Sequence, residues 1–257
     1  MNPMTHFISI TDHSSDEIRH FLEVAKRLKN ELRQKGRNDP ILASKTLAML
    51  FEKPSLRTRV SFNVGMTQLG GVGMYLTREE VGIGTREPVQ DVSRVLSSMC
   101  DGIMARTFEH STVTNLAKYS SVPVINGLTN FNHPCQAMAD VMTAQEHFGR
   151  LAGLTWAFIG DGNNVARSIA AACGKLDMRF IIASPPGYQF SDAEVKEIRS
   201  SLPNLSFSAM NDPIAAVREA DIVVTDTWVS MGQEAEKEKR IRDFAGFQVD
   251  QKLLGSA

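Results

Sequence analysis

The sequence predicts an α/β protein with two doubly wound domains, each a parallel sheet flanked by helices. Strand-like and helix-like segments alternate along most of the chain, as in parallel sheets covered by helices on both faces. The alternation is interrupted at residues 149–153, where Gly149 and Gly153 indicate a hinge, and then starts again. The 257 residues, 42% of them hydrophobic, suffice for two ordinary cores. We therefore predict domains at residues 1–148 and 149–257.

The first predicted domain opens with a helix and continues with four strands. Ser14 and Glu17 have capping-box spacing, apolar residues recur behind them at helical intervals, and Gly36 is a natural end. The strands are predicted at Thr46–Phe51, Val72–Leu76, Gly102–Ala105 and Val122–Ile125. The later helices are predicted at Arg59–Leu69, behind Pro88, at Val113–Tyr119 and at Met138–Phe148.

The second predicted domain repeats this alternation. Its strands are predicted at Leu154–Ile159, Arg179–Ala183, Leu205–Ala209 and Asp221–Thr225. Its helices are predicted at Val165–Leu176, at Asp192–Leu202, as a short helix between the last two strands, and at Glu234–Phe244. The last of these is highly charged, so we expect it to be a solvated helix.

The composition excludes several classes of partner. Lys+Arg 28 nearly balances Asp+Glu 29, so no basic field indicates a nucleic acid. The longest apolar runs are far shorter than a membrane span, and the first dozen residues show no targeting segment. The three cysteines are too few for a disulfide framework, which favours a cytoplasmic protein.

The end of the first strand has the composition of an anion site. Ser55, Arg57, Thr58 and Arg59 lie where the strand gives way to a helix, and a new helix leaves backbone N–H groups unpaired. Hydroxyls, guanidiniums and free N–H groups together bind phosphate. The competing interpretation is that the two arginines are only exposed charges at a helix start.

Polar residues also follow four other predicted strands. They are Arg106, the segment from His133 to Gln136, the segment Gly160–Asn164, and the segment Asp226–Gly232. Ligands bind outside the carboxyl ends of strands in open parallel sheets, so we expect one functional site in a cleft between the two domains. Taken singly, the arginine, the histidine and the glutamine are as readily explained as surface, structural and helix-capping residues.

Two other interpretations of these loops are weaker. Gly160 and Gly162 follow a strand, but the third glycine of a dinucleotide fingerprint is absent, because Val165 stands there. Asp226 can cap a helix or bind a metal, yet no second ligand stands at metal spacing, so we predict no metal. Cys135 is predicted to be a buried filler rather than a nucleophile.

Three motifs together resemble the ornithine carbamoyltransferases, within the aspartate/ornithine carbamoyltransferase superfamily. Residues 51–59, Phe-Glu-Lys-Pro-Ser-Leu-Arg-Thr-Arg, resemble the carbamoyl phosphate signature S-T-R-T-R. Residues 133–140, His-Pro-Cys-Gln-Ala-Met-Ala-Asp, resemble the second signature. Residues 226–233, Asp-Thr-Trp-Val-Ser-Met-Gly-Gln, resemble the ornithine-specific loop, whereas aspartate carbamoyltransferase binds its amino acid with arginines.

The resemblance implies a role for each of these polar residues. It assigns the phosphate of carbamoyl phosphate to Ser55, Arg57, Thr58 and the backbone of Leu56. It assigns the carbamoyl oxygen to Arg106 and His133, and the carbamoyl amine to Gln136. For the amino acid it assigns the carboxylate to Asn164 with the backbone of Met231, and the α-ammonium to Asp226 and Ser230.

The implied reaction transfers the carbamoyl group of carbamoyl phosphate to the δ-amine of L-ornithine, giving citrulline and phosphate, as in arginine biosynthesis. No cofactor is required, because positioning and fixed charges supply the catalysis. The resemblance further implies a cytoplasmic homotrimer whose other partners are these two substrates.

The sequence departs from the family pattern in four places. Leu56 replaces a Thr, Asn63 replaces a Glu, and Gly82 stands where many members carry a Gln that reaches a neighbouring subunit; Arg78 or Arg86 is a candidate substitute. The chain stops at Ala257 before the family's His-Cys-Leu-Pro motif and a later Arg. We therefore expect an incomplete chain with an incomplete active site.

Two further hypotheses stay open. One is a non-catalytic carbamoyl-phosphate-binding protein on the same fold. The other is a carbamoyltransferase that acts on N-acylornithine or putrescine. Asn164, Asp226 and Ser230 favour free ornithine, because an N-acylated ornithine lacks the α-ammonium and putrescine lacks both α groups.

Overall fold

The computed structural model describes residues 6–229 and 234–257. The chain divides into two compact units, Met1–Cys135 and Gln136–Ala257. The predicted domain boundary after residue 148 lies at the other end of the helix in which this division falls. Within the described residues, no helix is both long and apolar enough to cross a membrane.

The first unit contains a parallel sheet of four strands in the order β2-β1-β3-β4. The strands are β1 (Thr46–Phe51), β2 (Val72–Thr77), β3 (Gly102–Arg106) and β4 (Val124–Leu128). Phe51 at the end of β1 pairs in register with Thr77 of β2 and Arg106 of β3. The segments that follow β1 and β3 therefore start side by side at one edge of the sheet.

The helices of this unit are α1 (Ser15–Lys35), α2 (Leu56–Gln68), α3 (Arg78–Val81), α4 (Val89–Met99) and α5 (His110–Tyr119), and α6 (Pro134–Phe148) begins at its end. The predicted capping box of α1 is confirmed, since Ser14 and Glu17 each bond the other's backbone N–H. Gly36 ends the helix in the left-handed conformation, at φ 70°, which favours glycine.

The side chains of β1 alternate between the two faces of the sheet. Ala48 and Leu50 pack on the face covered by α4 and α5, together with Val92 and Val113. The other set packs beneath α2, where Leu47, Met49 and Phe51 meet Phe62 and Met66. The hydrophobic run that predicted this strand thus reflects burial on both faces, as parallel sheets require.

The second unit contains another parallel sheet, in the order β7-β6-β5-β8. Its strands are β5 (Thr155–Ile159), β6 (Arg179–Ala183), β7 (Ser206–Met210) and β8 (Ile222–Thr225), and its further helices are α7 (Asn164–Lys175), α8 (Asp192–Ser201), α9 (Pro213–Val217), α10 (Lys237–Asp243) and α11 (Gln251–Leu254). Ile159 pairs with Thr225, so the loops after β5 and β8 also start side by side. The predicted fold class, two helix-flanked parallel sheets, is confirmed.

The structure corrects two expectations and adds two short α-helices. The charged C-terminal helix is not wholly solvated, because Arg240 of α10 is only 7% exposed. The short helices α3 and α11 were not predicted, since four residues carry no helical periodicity. Helix α2 begins at Leu56, earlier than predicted, because Ser55 caps it.

Candidate functional site

Ser55 builds the turn between β1 and α2. It is the N-cap of α2, and its Oγ accepts a hydrogen bond of 3.4 Å from the backbone N–H of Thr58. The two hydroxyls also lie 3.1 Å apart. This cap leaves the first N–H groups of α2 at the same edge of the sheet as Arg57 and the end of β3.

Arg106, the last residue of β3, stands at the centre of a cationic cluster. Its Nη1 donates to Thr58 Oγ1 at 3.4 Å. Burial and then the charge of Arg57 lower the pKa of Arg106. Burial and then the charge of Arg106 also lower the pKa of Lys53, whose side chain is 6% exposed. The group gathers like charges at the start of a helix, which is the arrangement that an anion stabilises.

Lys53 is held on one side of this cluster by defined contacts. Its Nζ donates to Asn130 Oδ1 at 2.5 Å and lies 4.5 Å from the centre of the Phe108 ring. The backbone N–H of Phe108 in turn donates to the carboxylate of Glu52. These contacts join the turn after β1 to the loop after β3.

His133 completes the cluster as a neutral group. Burial and then the charge of Arg106 lower the pKa of His133 to about 3. Its ring is therefore neutral at physiological pH, and a neutral imidazole carries one N–H donor.

A buried amide network fixes the loop that leads to His133. Asn126 Nδ2 donates to Ile8 O at 2.9 Å and to Asn132 Oδ1 at 2.5 Å. Asn132 N donates to Thr129 Oγ1 at 3.2 Å. The Cys135 thiol bonds the carbonyl of Asn126 at 3.3 Å, and burial raises its pKa to about 12, so it is an unreactive thiol.

The neutral state of His133 makes a testable contribution to stability. Its pKa is lower in the folded chain than in the unfolded chain, so the unfolded state binds an extra proton below about pH 6.5. His133 therefore has no effect on the free energy of unfolding above about pH 6.5, and it destabilises the fold increasingly as the pH falls from 6.5 towards 3. The expected slope is about 1.4 kcal/mol per pH unit for one proton.

We expect His133→Gln to flatten the pH dependence of the free energy of unfolding between pH 6 and pH 4. Urea unfolding at several pH values measures it. His20→Gln, on the exposed side of α1, is the control and should leave the slope unchanged. Parallel curves for the wild type and His133→Gln would show that His133 titrates normally.

Gln136 and Asp140 lie on α6 in the second unit. Gln136 is exposed, and its Nε2 donates to Asp140 Oδ1 at 2.9 Å. Burial raises the pKa of Asp140; the bond from Gln136 opposes this, and the charge of Asp226 adds to it. Two carboxylates are thus close enough to repel each other, which is a setting that attracts a cationic group.

The loops after β5 and β8 meet through two side chains. Asn163 caps α7, since its Oδ1 accepts from the N–H groups of Val165 and Ala166 at 3.0 Å each. Its Nδ2 donates to Asp226 Oδ2 at 3.1 Å. Asn164 is the first residue of α7. An amide and a carboxylate therefore flank a helix start, where the carboxylate and the ammonium of an amino acid can each find a partner.

One cluster in the first unit thus contains five residues of the predicted site: Ser55, Arg57, Thr58, Arg106 and His133. Two adjacent loops of the second unit contain Asn164 and Asp226. Ser230 and Met231 lie outside the described residues.

Both halves of the chain match models of one protein family. Residues 5–146 match the aspartate/ornithine carbamoyltransferase carbamoyl-P binding domain, and residues 152–257 match the aspartate/ornithine carbamoyltransferase Asp/Orn binding domain. The chain belongs to the aspartate/ornithine carbamoyltransferase family. The cationic cluster lies within the first match, and the Asn163–Asp226 pair lies within the second.

Individual relatives of this carbamoyltransferase support the same family assignment. The ornithine carbamoyltransferase of Anoxybacillus flavithermus is 48% identical over 253 residues, which are 98% of this chain and 80% of that protein. That of Carboxydothermus hydrogenoformans is 48% identical over 255 residues, which are 98% and 81%. The solved ornithine carbamoyltransferase of Pyrococcus furiosus has a TM-score of 0.92 at 44% identity, covering 98% of this chain and 81% of that one. The chain spans about four-fifths of the length of these relatives.

The local structure bears on two positions at which this carbamoyltransferase departs from its family pattern, Leu56 and Gly82. Leu56 is 77% exposed, so its position offers the backbone rather than the side chain. Gly82 ends α3 at φ 68°, and a Cβ there would lie 2.8 Å from Arg86 Cβ, which explains a glycine at this turn. Arg86 donates to the backbone carbonyls of Glu80 and Val81 in its own turn, and the substitution of the family's Gln by Arg78 or Arg86 stays a prediction.

The sequence analysis did not identify three residues of this carbamoyltransferase whose side chains are buried or join two loops, namely Lys53, Asn163 and Arg240. Lys53 lay inside the first motif, and its burial was not evident from the pattern. Asn163 had a usable signal, since Asn just before a helical run is a preferred N-cap. Arg240 had none, because it stands among charged neighbours in α10.

Proposed function

We propose that this protein transfers the carbamoyl group of carbamoyl phosphate to the δ-amine of L-ornithine, releasing citrulline and phosphate. The observation that carries the proposal is the cationic cluster around Arg106, at the helix start that Ser55 caps, in a chain whose family combines carbamoyl-phosphate and amino-acid binding. The relatives named above are ornithine carbamoyltransferases. The Campylobacter jejuni relative, 36% identical with a TM-score of 0.90, is described as anabolic, which supports a role in arginine biosynthesis.

The phosphate is held at the start of α2. The hydroxyls of Ser55 and Thr58, the backbone N–H of Leu56 and the guanidinium of Arg57 supply donors and charge there. A phosphate dianion relieves the repulsion between Arg57 and Arg106 and gains charge-assisted hydrogen bonds. Binding and leaving-group stabilisation thus come from the same residues, since the phosphate departs with the bonding electron pair.

The carbamoyl oxygen is polarised by Arg106 and His133. Negative charge develops on this oxygen as the amine attacks and the carbon becomes tetrahedral, so donors fixed in advance lower the barrier. His133 acts as a neutral N–H donor because its pKa is about 3. Gln136 receives the carbamoyl amine.

The amino acid is held by Asn164 at its carboxylate and by Asp226 at its α-ammonium, with Ser230 and the Met231 backbone as further partners. The δ-amine attacks in its neutral form, because its lone pair forms the new C–N bond. The departing phosphate takes up the proton that this nitrogen loses, so citrulline and hydrogen phosphate result. We further propose that the protein is a homotrimer and is cytoplasmic, as the family resemblance implies. Sedimentation equilibrium tests the trimeric state.

The acceptor is tested by comparing kcat/KM for L-ornithine, N-acetyl-L-ornithine and putrescine. We expect ornithine to be preferred, because Asp226 loses its partner in the acylated amine and both α contacts are lost in putrescine. Equal values would defeat the assignment. Calorimetric binding of carbamoyl phosphate without turnover of any acceptor would instead favour the non-catalytic alternative.

We expect Asp226→Asn to raise KM for L-ornithine by roughly 10–100-fold, the cost of one charge-assisted bond. KM for carbamoyl phosphate should change far less, because the residues assigned to its phosphate and its carbamoyl oxygen lie in the first unit. Steady-state kinetics with each substrate varied in turn measures this. Asp192→Asn, on the exposed surface of α8, is the control. An unchanged KM for ornithine would remove Asp226 from the site.

A further inference from the structure

Arg240 is a buried cation in a helix that otherwise carries its charges outside. Arg240 is 7% exposed, whereas Lys239 and Arg242 beside it are exposed. Burying a charge is costly unless partners satisfy it. The partners of Arg240 therefore indicate what this burial achieves.

The Arg240 guanidinium makes three hydrogen bonds among the residues that the structure describes. Its Nη1 donates to Asp161 Oδ2 at 2.7 Å and to the backbone carbonyl of Trp228 at 3.1 Å. Its Nε donates to Glu236 Oε2 at 2.9 Å. The planar fork of a guanidinium supports such simultaneous bonds, which a lysine cannot reproduce.

The aromatic neighbours of Arg240 hold the side chain in this orientation. Its guanidinium lies 5.0 Å from the centre of the Tyr188 ring. The Tyr188 hydroxyl donates to Asp243 at 2.7 Å and accepts from Lys239 at 2.9 Å, so α10 is fastened to Tyr188. Trp228 stacks on Phe244, with ring centres 5.6 Å apart.

Asp161 and Trp228 belong to the two loops that carry the candidate amino-acid contacts. Asp161 lies in the loop after β5, three residues before Asn164, and Trp228 lies two residues after Asp226 in the loop after β8. Arg240 therefore bridges the same two loops that Asn163 and Asp226 join directly. The bridge is independent of that bond, since it uses different atoms of both loops.

We propose that Arg240 is a positioning residue for the amino-acid substrate. By tying Asp161 to the Trp228 carbonyl, it fixes the separation of Asn164, assigned to the carboxylate, and Asp226, assigned to the α-ammonium. This inference rests on the proposed function, because it takes those two residues as the amino-acid contacts. A substrate held at both ends of its α-carbon requires that separation to be constant, and a displacement of about 1 Å can cost 10²-fold in rate.

The test compares Arg240→Met and Arg240→Lys with the control Arg242→Met, an exposed arginine of the same helix. We expect Arg240→Met to raise KM for L-ornithine by roughly 10-fold or more while KM for carbamoyl phosphate stays within about twofold. Arg240→Lys should fall between Arg240→Met and the wild type, because lysine restores the charge opposite Asp161 without the fork. Arg242→Met should match the wild type.

A second measurement uses Asp161→Asn, which keeps the shape of the side chain and removes its charge. It should raise KM for ornithine in the same direction, and calorimetry with L-norvaline, which has the α groups without the δ-amine, should show the same loss of affinity in the presence of carbamoyl phosphate. Circular dichroism confirms that each variant is folded.

The inference would be overturned if folded variants of Arg240 and Asp161 kept the wild-type KM for ornithine and the wild-type affinity for norvaline. This holds even if the variants are less stable, and Arg240 would then only form a stabilising ion pair. Equal increases of KM for both substrates would also overturn it. If the wild-type chain itself gives no citrulline, the proposed function fails first, and the two failures are distinguishable.

Discussion

Arg106→Met is expected to lower kcat/KM for carbamoyl phosphate by roughly 10³-fold, about the upper limit for one preorganised donor. The charge of Arg57 lowers the pKa of Arg106. The charge of Arg106 in turn lowers the pKa of Lys53 and of His133. Its loss removes a donor to the carbamoyl oxygen and a charge beside the phosphate. The reaction rate at low carbamoyl phosphate and saturating ornithine measures it.

The same substitution should leave the fold intact. Arg106 is partly buried among like charges, so methionine keeps the apolar stem and removes the repulsion. The pKa of His133 should therefore rise, since the charge of Arg106 is one cause of its depression. NMR titration of the imidazole checks this rise. A folded Arg106→Met protein that retains activity within about tenfold, 1.4 kcal/mol, would remove Arg106 from the catalytic machinery.

Arg57→Ala is expected to abolish measurable binding of carbamoyl phosphate, with a loss of roughly 100-fold or more. Arg57 lies in the first turn of α2, where its charge reaches Arg106 and adds to the free N–H groups of the helix start. A phosphate dianion binds strongly at such a position, because both the positive charge and the hydrogen-bond donors stabilise it. Calorimetry with carbamoyl phosphate, and with inorganic phosphate as a stable probe, measures the loss.

Arg59→Ala is the matched control for Arg57→Ala. The two arginines stand two positions apart on α2, about 200° around the helix, so they face different directions. The guanidinium of Arg59 lies 3.8 Å from the centre of the Tyr75 ring, which accounts for its orientation without an anion. We expect its removal to change the affinity by about threefold or less. Equal losses from both substitutions would indicate a diffuse electrostatic effect in place of a defined phosphate site.

The fold was predictable from the sequence because each sheet consists of short strands that are buried, and buried strands are runs of apolar residues. Thr46–Phe51 and Arg179–Ala183 coincide with their predicted limits. Helix starts were less accurate where a side-chain cap decides them, as Ser55 does for α2. Tertiary contacts alone revealed the burial of Arg240, since its partner Asp161 is far away in the sequence.

The candidate site was predicted in part for a related reason. The rule that ligands bind at the carboxyl ends of parallel strands located Arg106 and Asp226 before any contact was known. It did not distinguish residues that touch a ligand from residues that hold others in place. The hydrogen bonds of Lys53 to Asn130 and of Asn163 to Asp226 became evident only in the structure, because each joins two loops that are distant in the sequence.

The most direct test of the central claim follows the carbamoyl carbon itself. Carbamoyl phosphate labelled with ¹³C is incubated with L-ornithine and the purified full-length gene product, and the products are observed by ¹³C and ³¹P NMR. Carbamoyl transfer at the proposed site predicts that the label appears in citrulline in equal amount to the phosphate released, and that Arg106→Met slows both together. Phosphate release without labelled citrulline, or no reaction from a folded protein that binds carbamoyl phosphate, would contradict it.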